Sequence, residues 1–556
     1  MLAFSRFSFY FLLFLFAVFW FAIGCDSPTS LTGKDEFFLG LRTPLFMIEK
    51  DVWLIPILDD LPRIRKPPLL YWCGRFFYET FGISLFSIRF MACVFSAFFV
   101  LGAAACARAL GINKTHALLL ALLLMSSLGL KTESARVMLD IPVSCFSIWA
   151  FWTFLKAAEN RLYLLLGAIF LALGFLTKGP VVFVLFFSGI AALFCSNILS
   201  FQLFFNLKNN LWILCSFLLW AILALPWFFW VRFLYPDFSS DILNNELAHR
   251  EFFKINLTPF SALFVLSMPW FFIGINACWK VFKKSTVNIK IFSKKIWGDR
   301  GNFALFIALW LIFSILPFCF IRTFERYLIG SLIPFCFLIL LFFENILNQN
   351  WAKRLGFILS CVAAFLLLVF VVYFKNNTHL ILIFLCALIL FFLAWWKNKN
   401  IWLMVFSALI FWQIALSVIY PQIGVNAVPQ KIIDHAKQNE VVFFAGPQPA
   451  MLSILSGKAH RHFGAFQQED FHFLKNKTIF VSEFDFPLFL KEIEKFNTHF
   501  KIHHQFKTLV STGSGLRFAK IGATLNDWLD AFSTHCVAPI STTIYAVKLS
   551  DENPQK

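Results

Sequence analysis

Long apolar runs decide what this chain can fold into. Stretches of about 17 to 25 residues can cross a hydrocarbon core about 30 Å thick. Inside that core a segment must satisfy its own backbone N–H and C=O groups, which selects the α-helix. About thirteen such runs occur, near residues 8–24, 85–107, 115–130, 140–155, 162–177, 180–196, 211–233, 259–279, 303–321, 327–344, 355–373, 379–396 and 401–420. They predict a polytopic α-helical membrane protein. Composition agrees, since 14% of the residues are charged where a soluble domain has roughly 25%.

Orientation follows from the short loops, because Lys and Arg resist translocation. The densest basic segment runs from Lys280 to Arg300, with Lys283, Lys284, Lys290, Lys294 and Lys295 inside it, and is expected to be cytoplasmic. Counting spans from there puts the N-terminus, Lys156/Arg161, Lys353/Arg354 and Lys397/Lys399 on the same face and the C-terminal tail on the exported one. Most of the net charge of +18 is therefore a topology signal and calls for no nucleic acid. The first run ends in Ala22-Ile23-Gly24-Cys25, like a lipoprotein cleavage site, but its length and the lone Arg6 before it favour an uncleaved helix. Of the 13 cysteines, Cys25, Cys73 and Cys536 fall outside the spans, with spacing that suits neither a disulfide framework nor a metal site.

Two exported segments stand out. Residues 25–84 are too long and polar for a connector, and their interleaved Phe37, Phe38, Trp53, Tyr71 and Trp72 argue for order, with helices lying at the interface. Residues 421–556 alternate short apolar runs, "EVVFFAG" and "KTIFVSE", with helical stretches such as "PLFLKEIEKF", and read as a small α/β domain. Within the first segment lies "RKPPLLYW", Arg65 to Trp72. Each proline fixes its own φ and biases its predecessor away from helix, so Lys66 is displayed in an extended or turn conformation. Tyr71 and Trp72 favour the boundary between hydrocarbon and headgroups. The stretch thus predicts contact with an anion at a membrane surface.

Taken in chain order, Asp35-Glu36, "DVWLIPILDDLPRIRKPPLLYW" from Asp51, "FGISLFSIRF" from Phe81, "ARVMLDIP" from Ala135 and "LGFLTKGPVV" from Leu173 resemble the bacterial aminoarabinose lipid A transferases, relatives of the dolichyl-phosphate-mannose protein mannosyltransferases. The likeness covers about residues 30–340. It implies a GT-C glycosyltransferase domain over residues 1–420, with 25–84 carrying the site, followed by a soluble exported domain over 421–556. It also implies transfer of a sugar from a polyprenyl-phosphate donor to an acceptor on the exported face of the bacterial inner membrane. The chain departs from the family in two places. Phe37-Phe38-Leu39 stand where Ala/Thr-Arg-Tyr is usual, and Arg65 stands where Glu is usual. Relatives use that Glu with histidines to hold zinc, so no metal site of that kind and no cofactor is expected, and a divalent metal requirement is left open.

The chemistry asks for two kinds of group. A sugar leaving a lipid phosphate exposes a monoester with a second pKa near 6, so its departure needs fixed cations. Lys66, with Arg63 or Arg65, is a candidate clamp. A hydroxyl acceptor needs a carboxylate base, and a single displacement inverts the anomeric carbon. The acid pair Asp35 and Glu36 supplies the catalytic candidates, Asp35 first, because neighbouring side chains do not share a face. Asp140, with Arg136 one turn before it, is expected either to meet substrate or to cap its helix. Lys178, turned by Gly179-Pro180, and Arg322 and Arg326, in a short exported loop, are further candidates for binding the donor. Snorkelling to headgroups is the alternative for each of these cations. The acceptor is expected to be a glycolipid such as lipid A, with a protein as the alternative. A transporter is the reading from another class, but it would lead one to expect internal repeats and gives residues 25–84 no role.

Overall fold

The computed structural model describes residues 2–199, 207–237, 254–283, 300–346, 350–397, 400–496, 498–511 and 518–550. Lys284, Lys290, Lys294, Lys295 and Lys399, which carried part of the orientation argument, lie outside the described residues. Every one of the thirteen apolar runs falls on helix. Among the described residues, seven helices are long and apolar enough to cross a membrane, and an eighth span results if Thr258–Leu266 and Phe271–Phe282, bent by 116°, count as one. Ser8–Ala22, Lys114–Met125, Leu162–Lys178 and Val181–Cys195 are apolar but shorter. The chain is a multi-pass membrane protein, and among the described residues length with apolarity accounts for up to eight of the thirteen expected crossings.

The two sides of this bundle differ as lipid contact requires. The helix Leu207–Leu234 turns Phe217, Ile222, Phe229 and Phe233 outward, each more than half exposed. Contiguous apolar surface of this sort marks a partner that is itself apolar. Leu332–Ile346 is the opposite case. Its residues 335–342 are buried all round, which makes it a central helix.

Residues 25–84 form a small folded layer. A short helix, Lys34–Glu36, runs into a π-helical turn, Phe37–Arg42, and then the helix Thr43–Glu49. Ile57–Leu58 (β1) and Leu61–Pro62 (β2) pair antiparallel. Asp59 and Asp60 between them take φ of 53° and 63°, the left-handed backbone a two-residue hairpin turn demands and Asp tolerates. The amphipathic helix Leu69–Phe81 starts directly after Pro68, so residues 63–68 are held outside helix as the prolines require. Tyr71 corrects the interfacial expectation. It is fully buried against Phe37, Leu41 and Met47, and burial pushes its hydroxyl pKa up to about 12.

The tail is an α/β domain whose sheet runs in the order β4-β3-β5-β7-β6. The two apolar runs become β3 (Val441–Phe444) and β5 (Thr478–Ser482), parallel neighbours, with β4 (His462–Phe463) parallel on the other side of β3. β7 (Thr542–Ser550) joins β5 antiparallel, and β6 (His499–Thr508) closes the far edge. The domain does not hang free. Ala450, Met451 and Ile454 share one apolar core with Phe37, Met47 and Tyr71 of the first layer and with Val137 and Leu139. All thirteen cysteines are free.

Candidate active site

Asp35 and Glu36 are adjacent, and the short helix that carries them sends them opposite ways. Glu36 points into the interior, fully buried with Arg89 at 3.1 Å. Its Oε1 also accepts the backbone N–H of Val137 at 3.2 Å. Arg89 in turn donates to the carbonyls of Ser27 and Cys25 and to Ser30 Oγ. Glu36, expected as the second catalytic acid, is thus buried beneath the short helix and does not line the cavity that Asp35 faces. Gly40 completes the attachment. A Cβ there would lie 2.5 Å from Val137 Cβ, so only glycine lets the π-helical turn sit directly on residue 137. Asp35 is thereby held beside Met138, Leu139 and Asp140.

Asp140 opens the helix Asp140–Lys156, whose N-cap is Leu139 and makes no side-chain cap bond. The capping alternative for Asp140 thus fails, since its carboxylate is spent elsewhere. Oδ1 accepts from Lys178 Nζ, and Oδ2 lies 3.1 Å from Arg326 Nε. Lys178 ends its helix at Gly179, whose φ of 63° turns the chain away, and its ammonium rests 3.6 Å from the centre of the Tyr327 ring. Arg326 reaches on to Asp35, Nη2 to Oδ2 at 2.5 Å.

The hairpin layer closes the other wall. Arg63, Arg65 and Lys66 follow β2 and face a cavity of about 700 Å³ that Asp35, Asp140, Lys178, Arg322 and Arg326 also line. Six cations, Arg63, Arg65, Lys66, Lys178, Arg322 and Arg326, stand there against three carboxylates, Asp35, Asp59 and Asp140. That excess positive charge, in a cleft with low-dielectric walls, suits a phosphate. Leu39, Leu58, Met138, Leu139, Phe324 and Tyr327 give the same cavity an apolar side. Arg322 is exposed at the rim.

Of the ten residues singled out from sequence, eight line this cavity. Glu36 does not, for the reason given, and neither does Arg136, whose Nη1 is held by Glu133 at 2.5 Å. Asp59 was missed. It accepts from Arg42 Nη2 at 2.5 Å and from the backbone of His462 at 2.9 Å, so it ties the hairpin to the tail domain. The readable signal was Asp59-Asp60 between two apolar pairs, a hairpin-turn dipeptide. Tyr327 and Phe324 had no sequence signal beyond their nearness to Arg326. Among the described residues no three His, Cys, Asp or Glu side chains gather as metal ligands would.

Comparison with known proteins adds independent information. The pattern of the dolichyl-phosphate-mannose-protein mannosyltransferase family matches residues 43–240. The crystal structure of ArnT from Cupriavidus metallidurans bound to undecaprenyl phosphate superposes over 96% of this chain and 97% of that one, with a TM-score of 0.66 and 14% identity. The chain has the fold of ArnT. The apo form of the same ArnT superposes with a TM-score of 0.64. An undecaprenyl phosphate-alpha-4-amino-4-deoxy-L-arabinose arabinosyl transferase of Wigglesworthia glossinidia brevipalpis is 25% identical over 436 residues, 71% of each chain. Two uncharacterized proteins of Aquifex aeolicus are 28% and 32% identical, over stretches that span only 28% and 35% of their own length. In this ArnT-like fold the cavity is built jointly by the first folded layer and the ends of the membrane helices.

Proposed function

We propose that the chain is an integral-membrane glycosyltransferase that moves a sugar from a polyprenyl-phosphate donor to a glycolipid of the lipid A type. The observation that carries this reading is a half-exposed carboxylate, Asp35, in one cavity with a cluster of cations that exceeds the acids. Lys66, Arg63, Arg65 and Arg322 receive the donor phosphate. Lys178 and Arg326, already engaged with Asp140, frame the opposite wall. The acceptor oxygen attacks the anomeric carbon while Asp35 takes its proton, and the bond to the phosphate oxygen breaks with its electron pair moving to the phosphate. One displacement of this kind inverts the anomeric centre. An acceptor that is itself a phosphate attacks in its ionised form, and Asp35 then orients it.

The names of the ArnT ligand and of the arabinosyl transferase support a polyprenyl-phosphate donor. Span parity supports the exported side of a bacterial inner membrane, since it assigns Asp35, Lys66, Asp140, Lys178, Arg322 and Arg326 to one face, and all six line one cavity. Purified protein incubated with a synthetic undecaprenyl-phosphate sugar and a lipid A acceptor is expected to yield a glycosylated lipid of inverted configuration, read by mass spectrometry and NMR. A donor that stays intact with every lipid acceptor and is consumed with a peptide would move the acceptor to protein. Alkaline phosphatase fused after Gln430 is expected to be active, and an inactive fusion would reverse the orientation.

A further inference from the structure

The tail domain holds a second cavity, of about 500 Å³, remote in sequence from the membrane cavity. Its walls are Ala445, Gly446 and Gln448, after β3, and Ser482, which ends β5, with Glu483 and Asp485 just beyond it. These are the carboxyl ends of two adjacent parallel strands. Strand order makes the place special. From β3 the chain goes to β4 on one side, and from β5 it continues to the strands on the other. The connections therefore diverge, and an open crevice is left where α/β sheets take their ligands.

Local geometry adds three features at this crevice. Ala445 has φ of 56°, a left-handed backbone that costs a side-chain-bearing residue and tends to mark ligand clamps. At Gly446 a Cβ would lie 2.2 Å from Asp485 Oδ2, so glycine is what lets that carboxylate close over the end of β3. Gln448 is 5% exposed, its Oε1 accepts the backbone N–H of Ala450 at 3.1 Å, and its Nε2 finds no acceptor among the described residues. A buried amide donor at a cavity wall costs free energy until something accepts from it.

We infer that this crevice is a saccharide-binding site, for a hydroxyl-rich ligand that is not anionic. Glu483 and Asp485 offer acceptor oxygens to hydroxyls, and Gln448, whose buried Nε2 has no acceptor among the described residues, stands in the same wall. The one ammonium in the lining, Lys520, is tied to Asp527 at 2.8 Å, so the crevice repels phosphate where the membrane cavity attracts it. Its volume suits one or two sugar rings. The site is separate from the transfer chemistry, and its failure would leave the proposed reaction untouched.

Saturation-transfer NMR on the full-length chain in nanodiscs, with glucose as the probe, tests this. Glucose is expected to receive saturation, and glucose 6-phosphate at least fivefold less. Ile521→Trp, which fills the crevice from an exposed position, and Gln448→Leu, which removes the donor, are each expected to reduce the glucose signal at least fivefold. A glucose signal absent from the unmodified chain, a signal that survives Ile521→Trp, or equal transfer to glucose 6-phosphate would overturn the assignment. Gln448→Leu can disturb folding, and the surface variant Ile521→Trp keeps the test decisive.

Discussion

Arg326 and Asp35, 291 residues apart in the chain, meet through Nη2 and Oδ2 at 2.5 Å. Arg326 also touches Asp140, so one guanidinium links the carboxylate of the first folded layer to that of a membrane helix. A lysine cannot span both, because its ammonium is a single point of charge. Arg326→Lys is expected to slow transfer about ten- to hundredfold, the scale of one or two charge-assisted hydrogen bonds. Initial rates with a synthetic donor measure it, and an unchanged rate would mean the bridge is ornamental.

Asp35 itself is 49% exposed at its side chain, so the fold does not lean on it. Asp35→Asn keeps the shape and removes the proposed base. Turnover with a hydroxyl acceptor is expected to fall at least about a hundredfold, with the protein level in the membrane unchanged. Full activity in the well-expressed variant takes Asp35 out of the proton transfer.

Glu36 should behave in the reverse manner. It and Arg89 form an ion pair with no exposure on either side, and removing one partner of such a pair costs about 3–5 kcal/mol. Arg89→Ala is therefore expected to lower the thermal midpoint and the membrane level sharply. What protein remains should bind donor with the affinity of the unmodified chain. Normal stability with lost turnover would instead put Glu36 back into the chemistry.

The length and apolarity of the runs carried the fold a long way, because hydrocarbon leaves the backbone few choices. The strands β3 and β5 were legible as apolar runs for a similar reason, being buried on both faces of a covered sheet. Tyr71 was misread because amphipathic aromatics prefer interfaces only when no deeper packing competes, and here Phe37 and Met47 supply it. Adjacency to Asp35 told that Glu36 faces another way but not that it faces Arg89, and nothing local told that Arg136 would be held by Glu133. Lys178 and Arg326 were legible through topology, as cations on the face where cations are rare. That they converge on Asp140 is a tertiary fact with no local signal.

His460 gives the tail domain a pH dependence. It is buried, with Nε2 against Ser456 Oγ at 2.8 Å, while its carbonyl accepts from Arg42. Burial, with Arg42 and Lys458 nearby, holds its imidazole pKa down to about 3. The unfolded chain then binds more protons below its own His pKa of about 6.5. This contribution to stability is full above about pH 6.5 and is lost as pH falls towards 3. Thermal midpoints of the full-length protein between pH 7 and pH 4 are expected to fall less steeply for His460→Gln than for the unmodified chain. Equal slopes would show that His460 is protonated without opening this contact.

Lys66 remains the sharpest test of what the membrane cavity holds. It stands after the hairpin, outside helix, in a cavity that also receives Arg63 and Arg65. If its ammonium neutralises the departing phosphate in a site poor in water, Lys66→Ala loses about 3 kcal/mol of transition-state stabilisation, on the order of a hundredfold in rate. Lys66→Arg is expected to recover only part, because the planar fork places its charge elsewhere. Arg65→Ala is expected to cost less than Lys66→Ala, since this position departs from the aminoarabinose transferases that the chain otherwise resembles. Single-turnover rates with a synthetic polyprenyl-phosphate sugar rank the three. If Arg65→Ala abolishes transfer while Lys66→Ala leaves it whole, the arginine holds the phosphate, and the departure from the family has moved the clamp by one residue.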